Sequence, residues 1–307
     1  MDKTALIFPG QGVQVVGMGK AIADAYPAAR AVFEQADQVL GFDLSALCFR
    51  GPIERLSATD VQQPAIFVTG LAIWEAVRSV RSDLASPDSA GGLSLGEYMA
   101  LCAAGSLTFA DGLRVVQERG RLMQAASRVL PSGMATIIGL NRSAVQQIVD
   151  EARRDDVLVV ANHLAGDLVV ISGQLSALDR ACKLAEAASA RINRLEVAGA
   201  FHSPLMAPAA EALGEVLSTI EVRRPRIPVV SNVTGDYHNG PQEIRSLLQQ
   251  QVVRPVEWAC AVERLVRDGC HRVIAVGPGA SQRAIIRRID RSIEVSVVDS
   301  PADIEKA

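Results

Sequence analysis

The chain has 307 residues, 49% of them hydrophobic and 21% charged, with 31 Lys and Arg against 34 Asp and Glu for a formal net charge of −3. That is ordinary globular composition, and the length suits one large domain plus a smaller one. Acids and bases are mixed along the chain, so there is no basic field for nucleic acid or an anionic membrane. No window approaches a membrane span, and the apolar run in MDKTALIFPG is too short for a signal peptide. The five cysteines, at 48, 102, 182, 260 and 270, include no C-x-x-C pair. They indicate neither a disulfide framework nor a metal site, and they point to a reducing cytoplasm.

Residues 4–8 form a short apolar run stopped by Pro9 and Gly10, which reads as a buried strand. Helical periodicity follows over 62–80. The stretch 94–104 reads as a helix ended by Gly105, and 109–128 as a second helix with Asp111 in its first turn. The segment before Ser94, SPDSAG, is weakly apolar and makes an unconvincing strand. From 133 to 197 the pattern changes to strand 134–140, helix 143–152, strands 157–161 and 168–172, helix 175–188 and strand 192–197. That β-α-β-β-α-β order is the ferredoxin-like plan. A helix over 203–220, a strand at 227–231, a helix near 244–252 and a helix over 256–268 come next. The strand 272–276, a turn at Gly277-Pro278-Gly279 and a helix over 280–289 close the reading. The fold class is therefore α/β: a large domain of residues 1–130 and 199–307, with a small ferredoxin-like α+β domain of residues 131–198 inserted in it.

Gly92-Leu93-Ser94-Leu95-Gly96 has the form G-x-S-x-G. Flanking glycines let a strand turn tightly into a helix, which would expose the serine beside the helix's free N–H groups. The same spacing also describes a serine N-cap on an ordinary helix. A nucleophilic serine needs a base. Of the four histidines, His238 in GDYHNGP is most simply solvated, and His271 follows Gly269 and Cys270 at a helix end. His163 ends a small-domain strand. His202 stands at the corner GAFHSPLM, just before the cap-like Ser203 and Pro204, and is the favoured base.

On a helical wheel at ~100° per residue, Arg119 falls at the centre of an apolar face made by Gly112, Val115, Val116, Leu122, Met123 and Ala126. A guanidinium there needs an anion. It is either a structural ion pair with a buried Asp or Glu, an arginine snorkelling to the rim, or a clamp for a substrate carboxylate.

Seven motifs in order, FPGQG (8–12), GLSLGEY (92–98), RGRLM (119–123), GAFHSPLM (199–206), SNVTG (231–235), QVVRPVEW (251–258) and VGPG (276–279), resemble those of the malonyl-CoA:acyl carrier protein transacylases. The resemblance covers nearly the whole chain. It implies a hydrolase-like α/β domain with a ferredoxin-like insertion. It also implies Ser94 as nucleophile, His202 as general base and acid, and the backbone N–H groups of Leu95 and Gln11 as the oxyanion hole. Arg119 would bind the malonate carboxylate, and Gln251 would lie in the motif that orients the histidine through backbone. Asn162 matches an asparagine near the site. Phe201, before the histidine, goes with malonyl over methylmalonyl. The expected substrate is malonyl-CoA, with no tightly bound cofactor, and the partner is an acyl carrier protein. RRPR (223–226), Arg180 with Lys183, and Arg283, Arg287 and Arg288 are candidates for a basic docking patch or ordinary solvated faces. The expected form is a discrete monomer acting in trans. Leu93 departs from the family's usual histidine and makes the pocket more apolar. This leaves open a fatty acid or polyketide pathway, and an editing hydrolase as the alternative activity. A non-catalytic carrier-binding scaffold is the more distant alternative.

Overall fold

The computed structural model describes residues 3–278 and 281–306. Gly279, which ends VGPG, and Ala280, where the last expected helix would open, lie outside them.

The chain builds two four-stranded sheets. The first is parallel, in the order β2-β1-β7-β8, from β1 (Lys3–Phe8), β2 (Ser89–Gly92), β7 (Cys270–Val276) and β8 (Glu294–Val298). Ala5 to Phe8 of β1 are fully buried, as expected of a central strand covered on both faces. The helix Thr59–Val80 packs beside it and is buried almost all round, so it carries only a weak amphipathic stripe.

The second sheet is antiparallel, in the order β4-β5-β3-β6, from β3 (Ser132–Ile138), β4 (Leu158–Ala165), β5 (Leu168–Gln174) and β6 (Arg191–Arg194). With the helices Arg142–Arg153 and Leu175–Ala187 it follows the ferredoxin-like plan. Side chains alternate between its two faces. Ala135, Ile137, Val169 and Ile171 pack with the two helices. Met134, Thr136 and Val170 face a cleft that they share with the loops of the first sheet.

Four readings change. β2 is a fully buried strand despite its weak apolarity. A Cβ on Gly91 would come within 2.6 Å of Val230, and one on Gly92 within 2.2 Å of the Gly96 backbone, so these two positions have room for glycine and no larger residue. The expected strand at 227–231 shrinks to isolated bridges, Ala90 with Val229 and Val230 with Tyr237, and Pro228 within it has no N–H to give to a ladder. His271 lies in β7, past the helix end. Between residues 13 and 61 the apolar pattern names no element, yet the helices Lys20–Ala25, Pro27–Leu40, Leu44–Arg50 and Ile53–Leu56 stand there.

Candidate active site

β2 runs into the helix Leu95–Ala103 through Ser94, whose φ of 51° and ψ of −99° put a non-glycine residue in a rare conformation. The turn requires both flanking glycines. A Cβ on Gly92 would strike the Gly96 backbone, and one on Gly96 would come within 2.5 Å of the Phe8 carbonyl oxygen. The reading of Ser94 as an ordinary N-cap does not hold, since its side chain accepts no capping hydrogen bond.

Ser94 Oγ lies 2.8 Å from His202 Nε2. His202 Nδ1 is 2.7 Å from the Gln251 carbonyl oxygen, which can only accept. The ring proton therefore sits on Nδ1, and the Nε2 lone pair faces the serine. His202 is itself held at φ 56°, at the corner before Ser203, whose hydroxyl donates to the Ala200 carbonyl and accepts from the Leu205 N–H. Burial first, and the Arg119 charge second, push its pKa from 6.5 down to about 4, against the Gln251 carbonyl. The imidazole is thus a neutral base at ordinary pH.

Arg119 projects from the helix Phe109–Ala126 and is fully buried. Its NH2 donates to Ser94 Oγ at 2.9 Å and to Gln251 Oε1 at 3.0 Å, and its NH1 donates to Gln63 Oε1 at 2.6 Å. The guanidinium also lies over the Tyr98 ring, 5.4 Å from its centroid. Among the described residues no carboxylate forms an ion pair with it, and its Nε has no partner. Burial pulls its pKa below the ordinary arginine value, with Tyr98 and Glu97 opposing. A structural ion pair and a rim-seeking side chain are both ruled out. What remains is a cation, desolvated and directly beside the serine oxygen.

A cavity of about 180 Å³ opens over Ser94 and His202. Gly10, Gln11, Leu93, Asn162 and Phe201 line it, and Met134, Leu164, Val170, Leu195 and Val197 form an apolar wall from the second sheet. Asn162 is held where β4 meets the other half of the molecule, since Val256 N donates to the Ala161 carbonyl and His163 N to the Val256 carbonyl. Leu95 opens its helix, so its N–H has no intrahelical acceptor.

Sequence reasoning missed four residues. Asn232 accepts from Ser94 N at 2.5 Å and donates to the Gly92 carbonyl at 2.8 Å, locking the turn. Gln63 anchors Arg119. Glu97 and His238 form a buried pair, with His238 Nε2 2.8 Å from Glu97 Oε1. His238 is therefore not solvated, although it stands in a turn-like stretch, because Glu97 offers it an acceptor inside the core. The Gln251 side chain adds contacts that a reading of its backbone alone does not anticipate. Asn232 lay in a quoted motif, but nothing in one sequence distinguishes it from a turn-forming asparagine.

His163, Glu257 and Cys260 bring ligand atoms within 4.8 Å of one another. Arg142 already donates two hydrogen bonds to the Glu257 carboxylate, at 2.5 and 2.7 Å, which offsets the charge a cation would need. Of the candidate basic patch, Arg180 pairs with Asp156, Arg223 with Glu221 and Arg288 with Asp167. These are solvated ion pairs of small individual effect.

The acyl transferase domain family matches residues 5–300. The malonyl CoA-acyl carrier protein transacylase of Bacillus subtilis is 37% identical over 309 residues, covering all of this chain and 96% of the relative. The solved malonyl CoA-acyl carrier protein transacylase of Coxiella burnetii superposes with a TM-score of 0.96 at 35% identity, covering 99% of this chain and 96% of that one. A malonyl-transacylase solved in complex with a type II polyketide synthase acyl carrier protein gives a TM-score of 0.95 at 35% identity, covering 99% and 98%.

Proposed function

The chain belongs to the acyl transferase domain family, and from that premise we propose that it moves a malonyl group from malonyl-CoA to the phosphopantetheine thiol of an acyl carrier protein. One observation carries the reading: a single oxygen, Ser94 Oγ, meets a neutral imidazole at 2.8 Å and a buried guanidinium at 2.9 Å. Nucleophile, base and carboxylate receptor are thereby within the span of one short acyl group.

In the first half-reaction Ser94 Oγ attacks the thioester carbonyl while His202 Nε2 takes its proton. The oxyanion is received by the N–H groups of Leu95 and Gln11. The tetrahedral intermediate collapses, the C–S bond breaks, and CoA leaves with the proton from His202. In the second half the carrier thiol gives its proton to His202, attacks the serine ester, and Ser94 recovers its hydrogen. Arg119 holds the malonate carboxylate throughout. Phe201 fills the space that an α-methyl would need, a preference of ~1–3 kcal/mol. Asn162 lines the acyl site, and the Gln251 carbonyl keeps His202 in the productive tautomer. No tightly bound cofactor takes part in these steps. The segment 131–198, inserted between 1–130 and 199–307, serves as one wall of the cleft. The described cysteines are all free, which fits a reducing compartment such as the cytoplasm. No described helix is long and apolar enough to cross a membrane.

The apolar cavity wall and Leu93 favour one second reading, an editing hydrolase of plain acyl groups. Intact-protein mass spectrometry after brief incubation with malonyl-, methylmalonyl- and acetyl-CoA separates the two. The transacylase gives a stable malonyl adduct that an added carrier protein discharges. Turnover of acetyl-CoA with no malonyl adduct would overturn that reading.

The depressed His202 pKa sets a pH dependence. The neutral base persists on acidification, so kcat/KM should stay level down to about pH 5 and fall as pH approaches 4. Between 6.5 and about 4 the unfolded chain binds a proton that the folded one does not, so stability is lost across that window. Circular dichroism at each pH separates the two losses. A kcat/KM midpoint near 6.5 with the fold intact would refute the assignment.

A further inference from the structure

Glu97 follows the nucleophile by three residues and its side chain is fully buried. Its Oε2 accepts from Gln251 Nε2 at 2.6 Å and from the Asn232 N–H at 3.1 Å, and its Oε1 faces His238 Nε2 at 2.8 Å. Both amide-bearing neighbours belong to the site. Asn232 holds the Ser94 and Gly92 backbone. Gln251 donates from the same Nε2 to the Ser94 carbonyl at 3.0 Å, and its Oε1 receives Arg119 NH2 at 3.0 Å.

A glutamine amide can sit in two orientations of opposite polarity. A carboxylate only accepts, so it draws the Gln251 NH2 toward itself and leaves the oxygen facing the guanidinium. The opposite orientation would set oxygen against carboxylate and NH2 against guanidinium. Glu97 thus acts on Arg119 through an amide and not by direct contact. A direct carboxylate contact would occupy the same fork that a substrate carboxylate needs. Resting on the reading that Arg119 receives the substrate carboxylate, we propose that Glu97 is a positioning residue. It fixes the polarity of the Gln251 amide, and thereby the aim of Arg119, and so sets the selectivity for acyl groups that carry a free carboxylate.

The test is Glu97→Gln, which keeps the shape and removes the nearer of the two obligate acceptors at Gln251 Nε2, leaving the Ser94 carbonyl. Acyl-enzyme formation from malonyl-CoA should fall about tenfold in kcat/KM, mainly through KM, while acetyl-CoA changes by less than about threefold. Equal losses for both thioesters would mark a merely structural role and overturn the proposal, as would no change. Gln251→Ala keeps the backbone carbonyl that faces His202 and should lower kcat/KM for both thioesters, malonyl-CoA by the larger factor. It serves alone if Glu97→Gln fails to fold. The double variant should be no worse than Gln251→Ala, and full additivity would count against the relay. If the wild type forms no malonyl ester, the functional reading fails. A crystal structure of Glu97→Gln then still decides the inference, because an unmoved Gln251 amide and Arg119 would overturn it.

Discussion

Ser94→Ala is expected to eliminate the acyl-enzyme and to lower transfer to the carrier by at least about 10⁴-fold. The covalent ester divides one thioester exchange into two steps that share a base and an oxyanion site. Without Oγ the carrier thiol would have to attack CoA-bound malonate directly, in a cleft shaped for one acyl group at a time. His202→Ala leaves the nucleophile but not its base, with a loss of about 10²- to 10⁴-fold. Because the two act as a unit through a 2.8 Å contact, the double variant should be no slower than Ser94→Ala alone. Folding should survive in Ser94→Ala, since the turn depends on Gly92, Gly96 and Asn232 and alanine is no more strained than serine at φ 51°. Intact mass and single-turnover kinetics provide the check. A malonyl ester on Ser94→Ala would place the nucleophile elsewhere.

Arg119→Ala is expected to reduce kcat/KM for malonyl-CoA by about 10²- to 10³-fold, the effect of leaving a buried carboxylate without its charged fork. Acetyl-CoA has no carboxylate to lose, so its turnover should hold or rise and the preference should invert. Arg119→Lys should recover little, because an ammonium cannot span Ser94, Gln63 and Gln251 as the guanidinium does. The truncation also leaves Gln63 Oε1 and Gln251 Oε1 without a donor, so a stability loss of about 1–3 kcal/mol accompanies it. Thermal unfolding measures that separately. Malonyl transfer that survived Arg119→Ala would reduce the residue to scaffolding.

The arginine shows how far one helix can be read from its sequence. Its place on the apolar face follows from periodicity, and burial in the structure agrees. Which anion it serves does not follow, because its neighbours Gln63, Ser94 and Gln251 come from three distant segments. His238 shows the converse. In GDYHNGP it has every local mark of a solvated residue, yet it is buried against Glu97, 141 positions away. β2 reads weakly because strand reading relies on large apolar side chains, and two of its four residues are glycines that the packing requires.

The order of elements in the second sheet, the glycine-framed turn at Ser94 and the amphipathic setting of Arg119 are local properties. Backbone sterics and 2- or 3.6-residue periodicity write such properties into consecutive residues. The hydrogen bond from Ser94 to His202, the backbone acceptor at Gln251, the amide lock by Asn232 and the buried Glu97 are different in kind. Each joins groups that only sheet topology brings together, across 108, 49, 138 and 135 positions respectively. Side-chain identity leaves no trace of a backbone carbonyl's role or of an amide's polarity. The type of chemistry was therefore legible in the linear sequence, while the way its parts are aimed was settled by tertiary packing.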